Sequence, residues 1–371
     1  MKSVLKVVKK EAVLSVSLLL ALVSMAFVPP DGKYISYIDF HTLIILLSLM
    51  LVMAGLRSLG IFSTVGGWLL TRARSARSLS IVLVLLCFCF SMLITNDVAL
   101  IVFVPFAVDL LTMAGMEKYM IRIIVLQTIA SNLGSMLTPI GNPQNLYLFS
   151  LSGMSPGRFI SLMLPYSLLS LALLLIACAL LIGKKPAAVQ LRPPRALSAA
   201  EKRRALVYFL LFLFALTSVA RLVSVYIVGA VILAAVFLMD RRMLAKPDYS
   251  LLLTFVFLFV FIGNIKRVPE INLWLQGLIR GNELITSVLA SQVISNVPAA
   301  ILLSGFTDNI AALVVGTNLG GLGTLIASMA SLISFKCYGS APGRRNAAYL
   351  GVFTLLNLIF LAALLLLHFL I

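Results

Sequence analysis

The sequence predicts an all-α polytopic membrane protein: an inverted repeat with two re-entrant hairpins, two broken transmembrane helices and roughly 8–11 membrane segments. Hydrophobic residues make up 61% of the chain and charged residues only 11%, a composition typical of membrane proteins and not of soluble domains. Polar, glycine and proline clusters interrupt several of its apolar runs. The two halves of the chain repeat these interruptions in the same order.

The first half, residues 1–183, is predicted to form the first repeat. Its predicted elements are a span at 12–28, a span at 42–55, an interfacial amphipathic helix at 58–74, a hairpin at 79–111, a broken helix at 121–151 and a span at 159–182. The first run follows a basic N-terminus and could be a signal peptide, but an uncleaved span is favoured because the remaining topology requires it. The segment 79–111 is either two full spans or a hairpin. The hairpin is favoured because each arm has only about 15 residues.

A basic linker at 184–204, predicted to be cytosolic, separates this half from a second repeat at 205–371. The predicted elements of the second half are spans at 205–219, 223–238 and 251–262, an interfacial helix at 266–282, a hairpin at 284–306, a broken helix at 310–335 and a last span at 347–370.

The internal repeat is visible in two aligned stretches. Residues 94–106 match 294–306 at five of thirteen positions, and residues 132–146 match 318–332 at six of fifteen. Each half therefore contains, in order, a span, an amphipathic helix, a polar-tipped hairpin, a broken helix and a span.

The distribution of basic residues indicates how the halves lie. If the N-terminus is cytosolic, alternation of the spans leaves 23 of the 29 Lys and Arg inside, as the positive-inside rule requires. The six basic residues placed outside are Lys33, Arg158, Arg221, Lys266, Arg267 and Arg280. The first hairpin then enters the membrane from the cytosol and the second from outside, so the repeats are inverted.

Residues 131–146 interrupt an apolar run that is long enough to cross a bilayer. Pro139, Gly141 and Pro143 stand close together there, and each proline removes an amide donor and clashes with the preceding turn. The helix is therefore expected to break at membrane depth, where irregular backbone survives only inside protein or beside a wet cavity. Interrupted helices of this kind indicate the binding site of a transporter.

Asn96 and Asn296 stand at equivalent hairpin tips. A single intramembrane Asn commonly bonds only to a neighbouring helix, but two at repeat-related positions, each followed by a broken helix, favour a ligand site. Helix N-termini at such tips can hold anions, and freed carbonyls can hold cations. The glycine-rich stretch 316–324 is either a set of packing notches or a second binding loop, in register with Asn132 and Thr138.

Asp97 is predicted to lie well inside the hydrocarbon region. A carboxylate at the bilayer centre costs ~2.5–3.5 kcal/mol on insertion scales, so it is usually paired or functional. Asp97 is either a protonated acid bonded to a backbone carbonyl or a functional group, and the functional interpretation is favoured. Cys87 and Cys89 could form a thiol metal site, but apolar packing is favoured for both. The chain has no phosphate-binding loop of the Walker type, which argues against ATP hydrolysis.

Three motifs carry a resemblance to a known group of proteins. They are Leu-Ile-Thr-Asn-Asp-Val-Ala-Leu at 93–100, Leu-Thr-Pro-Ile-Gly-Asn-Pro-Gln-Asn at 137–145 and Ser-Gln-Val-Ile-Ser-Asn-Val-Pro at 291–298. They resemble the ion transporter superfamily, and within it the arsenite-permease-like and citrate-transporter-like bacterial inner-membrane permeases. The likeness to the divalent-anion:sodium symporters is more distant. The resemblance covers nearly the whole chain and implies an inverted-repeat fold, commonly a homodimer, with an elevator-like transport cycle.

In those symporters, Ser-Asn-Thr hairpin tips and unwound helices hold a carboxylate substrate and sodium. The substrate- and ion-binding residues that the resemblance and the broken stretch together imply are Thr95, Asn96, Asp97, Ser131, Asn132, Thr138, Pro139, Gly141, Asn142, Asn145, Ser295, Asn296, Thr317, Asn318, Gly320 and Thr324. Candidate Na⁺ ligands are Asn96 and Asn296. Asp97 and Val297 replace the motif Thr, which weakens the case for dicarboxylates and sodium. An acidic tip is closer to the arsenite-permease-like pattern of proton-coupled export.

The sequence thus predicts a secondary active transporter of a small anion, either an inorganic oxyanion or a carboxylate, coupled to H⁺ or Na⁺ and without another cofactor. The alternatives are a cation/proton antiporter that uses Asp97 and, less favoured, a membrane-embedded enzyme, since one deep acid and no deep His are present. The predicted partners are the substrate, the lipid bilayer and a second copy of the chain, with no nucleic acid. The predicted location is the cytoplasmic membrane with a cytosolic N-terminus.

Overall fold

A computed structural model describes residues 11–61, 64, 75–184, 197–339, 341 and 343–371. Every regular element in this part of the chain is helical, as the sequence predicts. Most of the predicted interfacial helix at 58–74 and of the basic linker lies outside the described residues.

The first half contains eight described α-helices. They are α1 (Ala12–Phe27), α2 (Tyr34–Tyr37), α3 (Phe40–Ser58), α4 (Ala76–Ile94), α5 (Asn96–Met113), α6 (Glu117–Ser135), α7 (Pro143–Ser152) and α8 (Pro156–Leu181). Their starts follow capping rules. Ser75 and Ser78 form a capping box at the start of α4. Asn142 caps α7 and Ser155 caps α8, and in both helices a proline, Pro143 or Pro156, occupies the first helical position.

The second half contains nine described α-helices. They are α9 (Ala199–Val219), α10 (Val225–Met239), α11 (Tyr249–Lys266), α12 (Pro269–Ile279), α13 (Glu283–Ile294), α14 (Asn296–Ser304), α15 (Ile310–Leu319), α16 (Met329–Tyr338) and α17 (Asn346–Leu370), with a short 3₁₀ turn at Arg241–Ala245. The capping box of Ser198 and Glu201 starts α9, so the last residues of the predicted linker 184–204 are helical instead.

Six of the described helices, α3, α4, α5, α8, α11 and α17, are long and apolar enough to cross a membrane. Helices α8 and α17 carry rows of exposed Leu and Ile side chains on their outward faces, as lipid-facing helices do. The chain is therefore a multi-pass membrane protein.

The two hairpins differ in length, and this corrects the predicted arms of about 15 residues. The arms of the first, α4 and α5, have 19 and 18 residues, whereas those of the second, α13 and α14, have 12 and 9. The arms of the first hairpin are longer because the helix also includes residues 76–78, after the Ser75 cap, and residues 112–113 at the other end. Each arm is long enough to cross a membrane, so the short arms that favoured a hairpin over two full spans are not present in the first repeat. The turn sits where it was predicted, between Ile94 and Asn96 and between Ile294 and Asn296.

The first broken helix is α6 followed by α7, with the break at 136–142, as predicted for 121–151. The second break is displaced from the predicted stretch 316–324. Helix α15 continues through Gly316 and Thr317 to Leu319, and the irregular segment covers 320–328 before α16. Gly316 is a close packing point within this helix, because a Cβ there would lie 2.7 Å from Ser287.

The two halves pack reciprocally. The second arm of the first hairpin, α5, contacts α16 of the second broken helix, and the second arm of the second hairpin, α14, contacts α7 of the first. Likewise α6 contacts α16, and α15 contacts α7. Helices α3, α9 and α10 pack against one another beside this core, and α1 packs on α11.

Candidate functional site

Both hairpin tips turn on a residue with strained backbone. Thr95 has φ 71° and ψ 149°, and Ser295 has φ 74° and ψ 154°. This region of backbone space is almost restricted to glycine and costs of order 1–3 kcal/mol for another residue. The same strained geometry at repeat-related positions confirms that the two tips are structurally equivalent.

Each tip is fastened to a broken helix by one backbone hydrogen bond. The Asn96 N–H donates to the carbonyl of Gly141 at 3.0 Å, and the Asn296 N–H donates to the carbonyl of Ala327 at 3.0 Å. Gly141 and Ala327 are partners in the alignment of residues 132–146 with 318–332. In both repeats, the backbone N–H of the first residue in the hairpin's second arm therefore bonds the hairpin to the irregular loop of the broken helix.

In the first break, the side chains of the loop satisfy the helix ends. The Asn145 side-chain amide donates to the carbonyls of Ser135, Met136 and Thr138 at 3.2–3.4 Å, and the side-chain Oδ1 of Asn142 accepts from the Asn145 backbone N–H at 2.9 Å. The Asn145 side chain thus satisfies carbonyls at and just after the end of α6, where Pro139 has no N–H to continue the helix. Gly141 is required there, because a Cβ would lie 2.0 Å from the Ser135 carbonyl oxygen.

In the second break, which has no proline, Gln292 on the first hairpin arm performs this task. Its Nε2 donates to the carbonyls of Gly320 and Leu322, both at 2.9 Å, and its Oε1 accepts from the Thr324 N–H at 2.9 Å. The Thr324 hydroxyl donates to the Gln292 carbonyl, as the Thr138 hydroxyl donates to that of Met92 in the first repeat. The hydroxyls of Thr138 and Thr324 thus brace each hairpin against its loop.

The centre of the site is a hydrogen-bond network between the two repeats. Asn132 Oδ1 accepts from the Asn96 amide at 3.2 Å and from the Ser328 hydroxyl at 3.0 Å, and the Asn132 amide donates to Ser331 at 3.4 Å. In the mirror arrangement, Asn318 Oδ1 accepts from Asn142 at 3.2 Å.

The Asn318 amide donates to the side chain of Asn145 at 2.6 Å, the counterpart of the contact between Asn132 and Ser331. Each broken helix thus bonds to the other through equivalent positions. Reciprocity of this kind is the signature of a two-fold relation, here an approximate one.

The structure brings half of the predicted residues together in this centre. The predicted residues in the network or in direct contact with it are Thr95, Asn96, Ser131, Asn132, Gly141, Asn142, Asn145 and Asn318. Asn296 stands at the second tip, where its amide lies beside Gly321. Two predicted residues lie apart: the Thr317 hydroxyl bonds within its own helix to Leu313, and Thr324 is exposed. Pro139 and Gly320 act through backbone shape, as Gly320 packs against Ser291.

Asp97 faces a cavity of about 480 Å³ beside this network. Thr95 and Asn142 line the same cavity. The Asp97 carboxylate is half-buried and has no hydrogen-bond or ion-pair partner among the described residues. The acid singled out from the sequence therefore stands in an open space next to the tip.

Three charged residues that line this cavity were missed from the sequence: Arg57, Lys246 and Asp248. Arg57 lies at the end of an apolar span, and Lys246 and Asp248 lie in the charged stretch after another span. Charged residues in such places are expected at a membrane surface, so nothing in the sequence marked them as site residues. Ser328 and Ser331 were also missed. They were detectable as the repeat partners of Asn142 and Asn145 in the aligned stretches.

The chemistry of the network is that of neutral oxygen atoms. Asparagine, serine and backbone oxygens surround the two tips, and hard cations prefer oxygen ligands. Within the part of the chain that the structure describes, no group of three or more His, Cys, Asp or Glu could hold a metal ion. The four cysteines are free thiols and lie outside this network.

Comparison with known proteins gives consistent results. A sequence model described as citrate transporter (CitMHS) matches residues 4–333. The Escherichia coli inner membrane protein YbiR is 35% identical over 326 residues, covering 84% of this chain and 83% of the relative. The uncharacterized transporter MJ0456 of Methanocaldococcus jannaschii is 35% identical over 294 residues, with 78% and 80% covered. A 46 kDa membrane protein of Mycobacterium leprae is 24% identical over 346 residues.

Proposed function

Because the chain belongs to the citrate transporter family and is a membrane transporter of the inner membrane, we propose that it moves a small anion by secondary active transport. The substrate is an inorganic oxyanion or a carboxylate, and the coupling ion is H⁺ or Na⁺. The observation that carries this proposal is the convergence of two strained hairpin tips on two broken helices beside one cavity. Discontinuous helices that meet near the membrane midplane form the substrate and ion sites of many secondary transporters.

The cavity has features that suit an anion. Arg57 and Lys246 line it. A guanidinium binds a carboxylate or oxyanion through two parallel hydrogen bonds.

Two sites could bind the coupling ion. Asparagine and serine oxygens at Asn96, Asn132 and Ser328 lie within one network and could hold Na⁺, and we propose a related role for Asn296 at the second tip. Asp97 could instead carry a proton, because its carboxylate is half-buried and lacks a partner among the described residues.

We further propose an elevator-like cycle in an inverted-repeat homodimer. The hairpins and broken helices pack into one reciprocal unit, and α3, α9 and α10 form a second group that meets this unit through contacts of α3 with α7. The cavity has α3 on one side and the first tip on the other. Movement of the reciprocal unit along this wall would carry the site from one side of the membrane to the other.

The main competitor is a cation/proton antiporter. The observation that favours it is that Asp97 and Asp248 line the same cavity, and pairs of intramembrane acids mark cation and proton pathways. An enzymatic role has no comparable support, since the family is one of transporters.

Flux into proteoliposomes tests the proposal. The purified full chain would be reconstituted, and uptake of labelled citrate, succinate, acetate, phosphate and sulfate would be measured under imposed proton or sodium gradients. We expect at least one anion to accumulate only when a gradient is present. Proton-coupled Na⁺ or K⁺ movement in the absence of any anion flux would favour the antiporter and refute anion transport.

A further inference from the structure

The cavity has an apolar wall made by one face of α3. Leu46, Leu49, Met50 and Met53 line it, and their spacing of three and four residues places them on one stripe of the helix. Met243 and Met329, both from the second half of the chain, lie among the other lining residues. Methionine is unbranched and polarisable, so such a wall adapts to apolar groups of different shape.

The size of the cavity exceeds what a bare oxyanion would fill. Its volume is about 480 Å³, whereas a water molecule takes about 30 Å³ of liquid and a tetrahedral oxyanion only a few times that. Cavities of roughly 300–1,000 Å³ are typical of sites for organic ligands. The remaining space beside an inorganic anion would be lined by methionine and leucine.

Arg57 continues the same stripe of α3, four residues after Met53. Its side chain is exposed to the cavity, and among the described residues no ion pair or hydrogen bond engages the guanidinium. An apolar stripe that ends in an unengaged guanidinium matches a ligand with a hydrocarbon part and an anionic end.

The charges around the cavity limit how many anionic groups the ligand carries. Arg57 and Lys246 are balanced there by Asp97 and Asp248 when all four are ionised. A trivalent anion would bring three carboxylates to two cations that already face two acids, and like charges in a partly desolvated site repel. One carboxylate is therefore favoured over three.

We infer that the substrate is an organic monocarboxylate, with its carboxylate on Arg57 and its hydrocarbon body along the α3 stripe of Leu46, Leu49, Met50 and Met53. This inference rests on the proposed anion transport and narrows its substrate class. It places an otherwise unassigned arginine in the recognition of the substrate.

Binding of a homologous series tests it on the unmodified full chain in detergent. Acetate, butyrate and hexanoate would be titrated by calorimetry beside citrate and sulfate. Each added methylene is expected to lower Kd by roughly fourfold while it contacts the apolar wall. Hexanoate is then expected to bind more tightly than citrate or sulfate.

Two variants separate the carboxylate from the hydrocarbon body. Arg57→Gln should weaken all three monocarboxylates by a similar factor of roughly tenfold or more, because a charge-assisted pair is lost. Met50→Gln should reduce the dependence on chain length and leave acetate nearly unchanged. Arg242→Gln is the matched control, since Arg242 is exposed nearby and does not line the cavity.

The outcomes distinguish this inference from the proposed function. If affinity does not rise with chain length, or if citrate or sulfate binds best, the inference is overturned while anion transport stands. An Arg57→Gln variant that folds and binds as the unmodified chain does would also overturn it. If no anion binds and labelled anions do not move into proteoliposomes, the proposed function fails as well.

Discussion

At the scale of single residues, the site is unusual because its buried asparagine side chains hydrogen-bond mainly to one another and across the two repeats. Asn96, Asn132, Asn142, Asn145 and Asn318 are all at most 5% exposed and bond to one another or to the opposite broken helix. Replacing such a set with apolar residues of similar shape is often neutral or stabilising. Stability alone therefore does not account for them, which supports the proposal that they form a polar site for an ion or substrate.

The tip asparagines give the first prediction. Asn96→Ala or Asn296→Ala should abolish transport with little loss of stability, since each removes one amide while the backbone bond to Gly141 or Ala327 remains. The loss in stability should be about 1–3 kcal/mol or less. Transport in proteoliposomes and thermal unfolding of the purified variants measure the two effects.

The control is Asn357→Ala. Asn357 is a fully buried asparagine of α17 whose amide donates at 2.8 Å to Phe353 of its own helix. The same chemical change there should leave transport intact. Normal transport by either tip variant would contradict the two-tip site.

Asp97 gives the second prediction, because its repeat partner is Val297 and the approximate symmetry does not require an acid there. Asp97→Asn should still bind substrate but lose the dependence of transport on a proton gradient, since an amide cannot exchange a proton. If Asp97 instead binds sodium, the variant should lose sodium activation and keep its response to the proton gradient. Flux against separate proton and sodium gradients measures both.

Asp109→Asn on the same helix is the control, because Asp109 is exposed and does not line the cavity. Its variant should respond to both gradients as the unmodified chain does. If transport by Asp97→Asn also responds normally to both gradients, Asp97 takes no part in ion coupling and its role is structural.

At the scale of helices, the two breaks show what a sequence can reveal. Pro139 and Pro143 make the first break visible, because proline cannot continue a helix. The second break has only glycines as signals, and its position is fixed by Gln292, which reaches across from α13 to Gly320 and Leu322. A contact between distant parts of the chain leaves no local pattern, so the predicted break at 316–324 began several residues too early.

The geometry of the first break predicts a large effect of one methyl group. Gly141→Ala should destabilise the protein by about 1–3 kcal/mol or more, because the added Cβ would lie 2.0 Å from the backbone oxygen of Ser135. Relief of the clash would move the Gly141 carbonyl that accepts from Asn96, so transport should fall as well. Thermal unfolding and flux measure these two effects.

Gly157→Ala is the matched control, since nothing lies within 4 Å of a Cβ at that helical position. It should be neutral or stabilise by about 0.4–1 kcal/mol through the unfolded chain. Equal stability of the two variants would show that the close approach at Gly141 is not present in the protein.

At the scale of the whole molecule, hydropathy and the repeat predicted the helical class, both tips and the first broken helix. They did not reveal the cavity. Arg57 on α3, Lys246 in a loop and Asp97 at a tip belong to three separate elements, and only tertiary packing brings them to one space. Residues of this kind become predictable once an alignment or a structure shows which elements meet.

The orientation of the repeats follows from two structural facts and the charge distribution. Arg77 at the start of the first hairpin donates to the Ile182 carbonyl at the end of α8 at 3.0 Å, so this hairpin begins on the face where the linker leaves. Four helices, α9 to α12, lie between the linker and the second hairpin, and α12, with 11 residues, is too short to cross the membrane. The count of crossings therefore depends on α9, α10 and α11. If each crosses the membrane, the second hairpin begins on the opposite face, and the positive-inside rule makes the linker face cytosolic.

Single cysteines at Lys202 and Arg280 test this arrangement. Both residues are exposed, one at the start of α9 and the other just before α13. They would be introduced as Lys202→Cys and Arg280→Cys in a chain whose Cys87, Cys89, Cys178 and Cys337 have been replaced, and labelled with a membrane-impermeant maleimide. Lys202→Cys should react only from the cytosolic side and Arg280→Cys only from the outer side, because an odd number of crossings separates them. Reaction of both from one side would mean that the repeats are parallel, and the approximate two-fold axis would then run along the membrane normal, not in its plane.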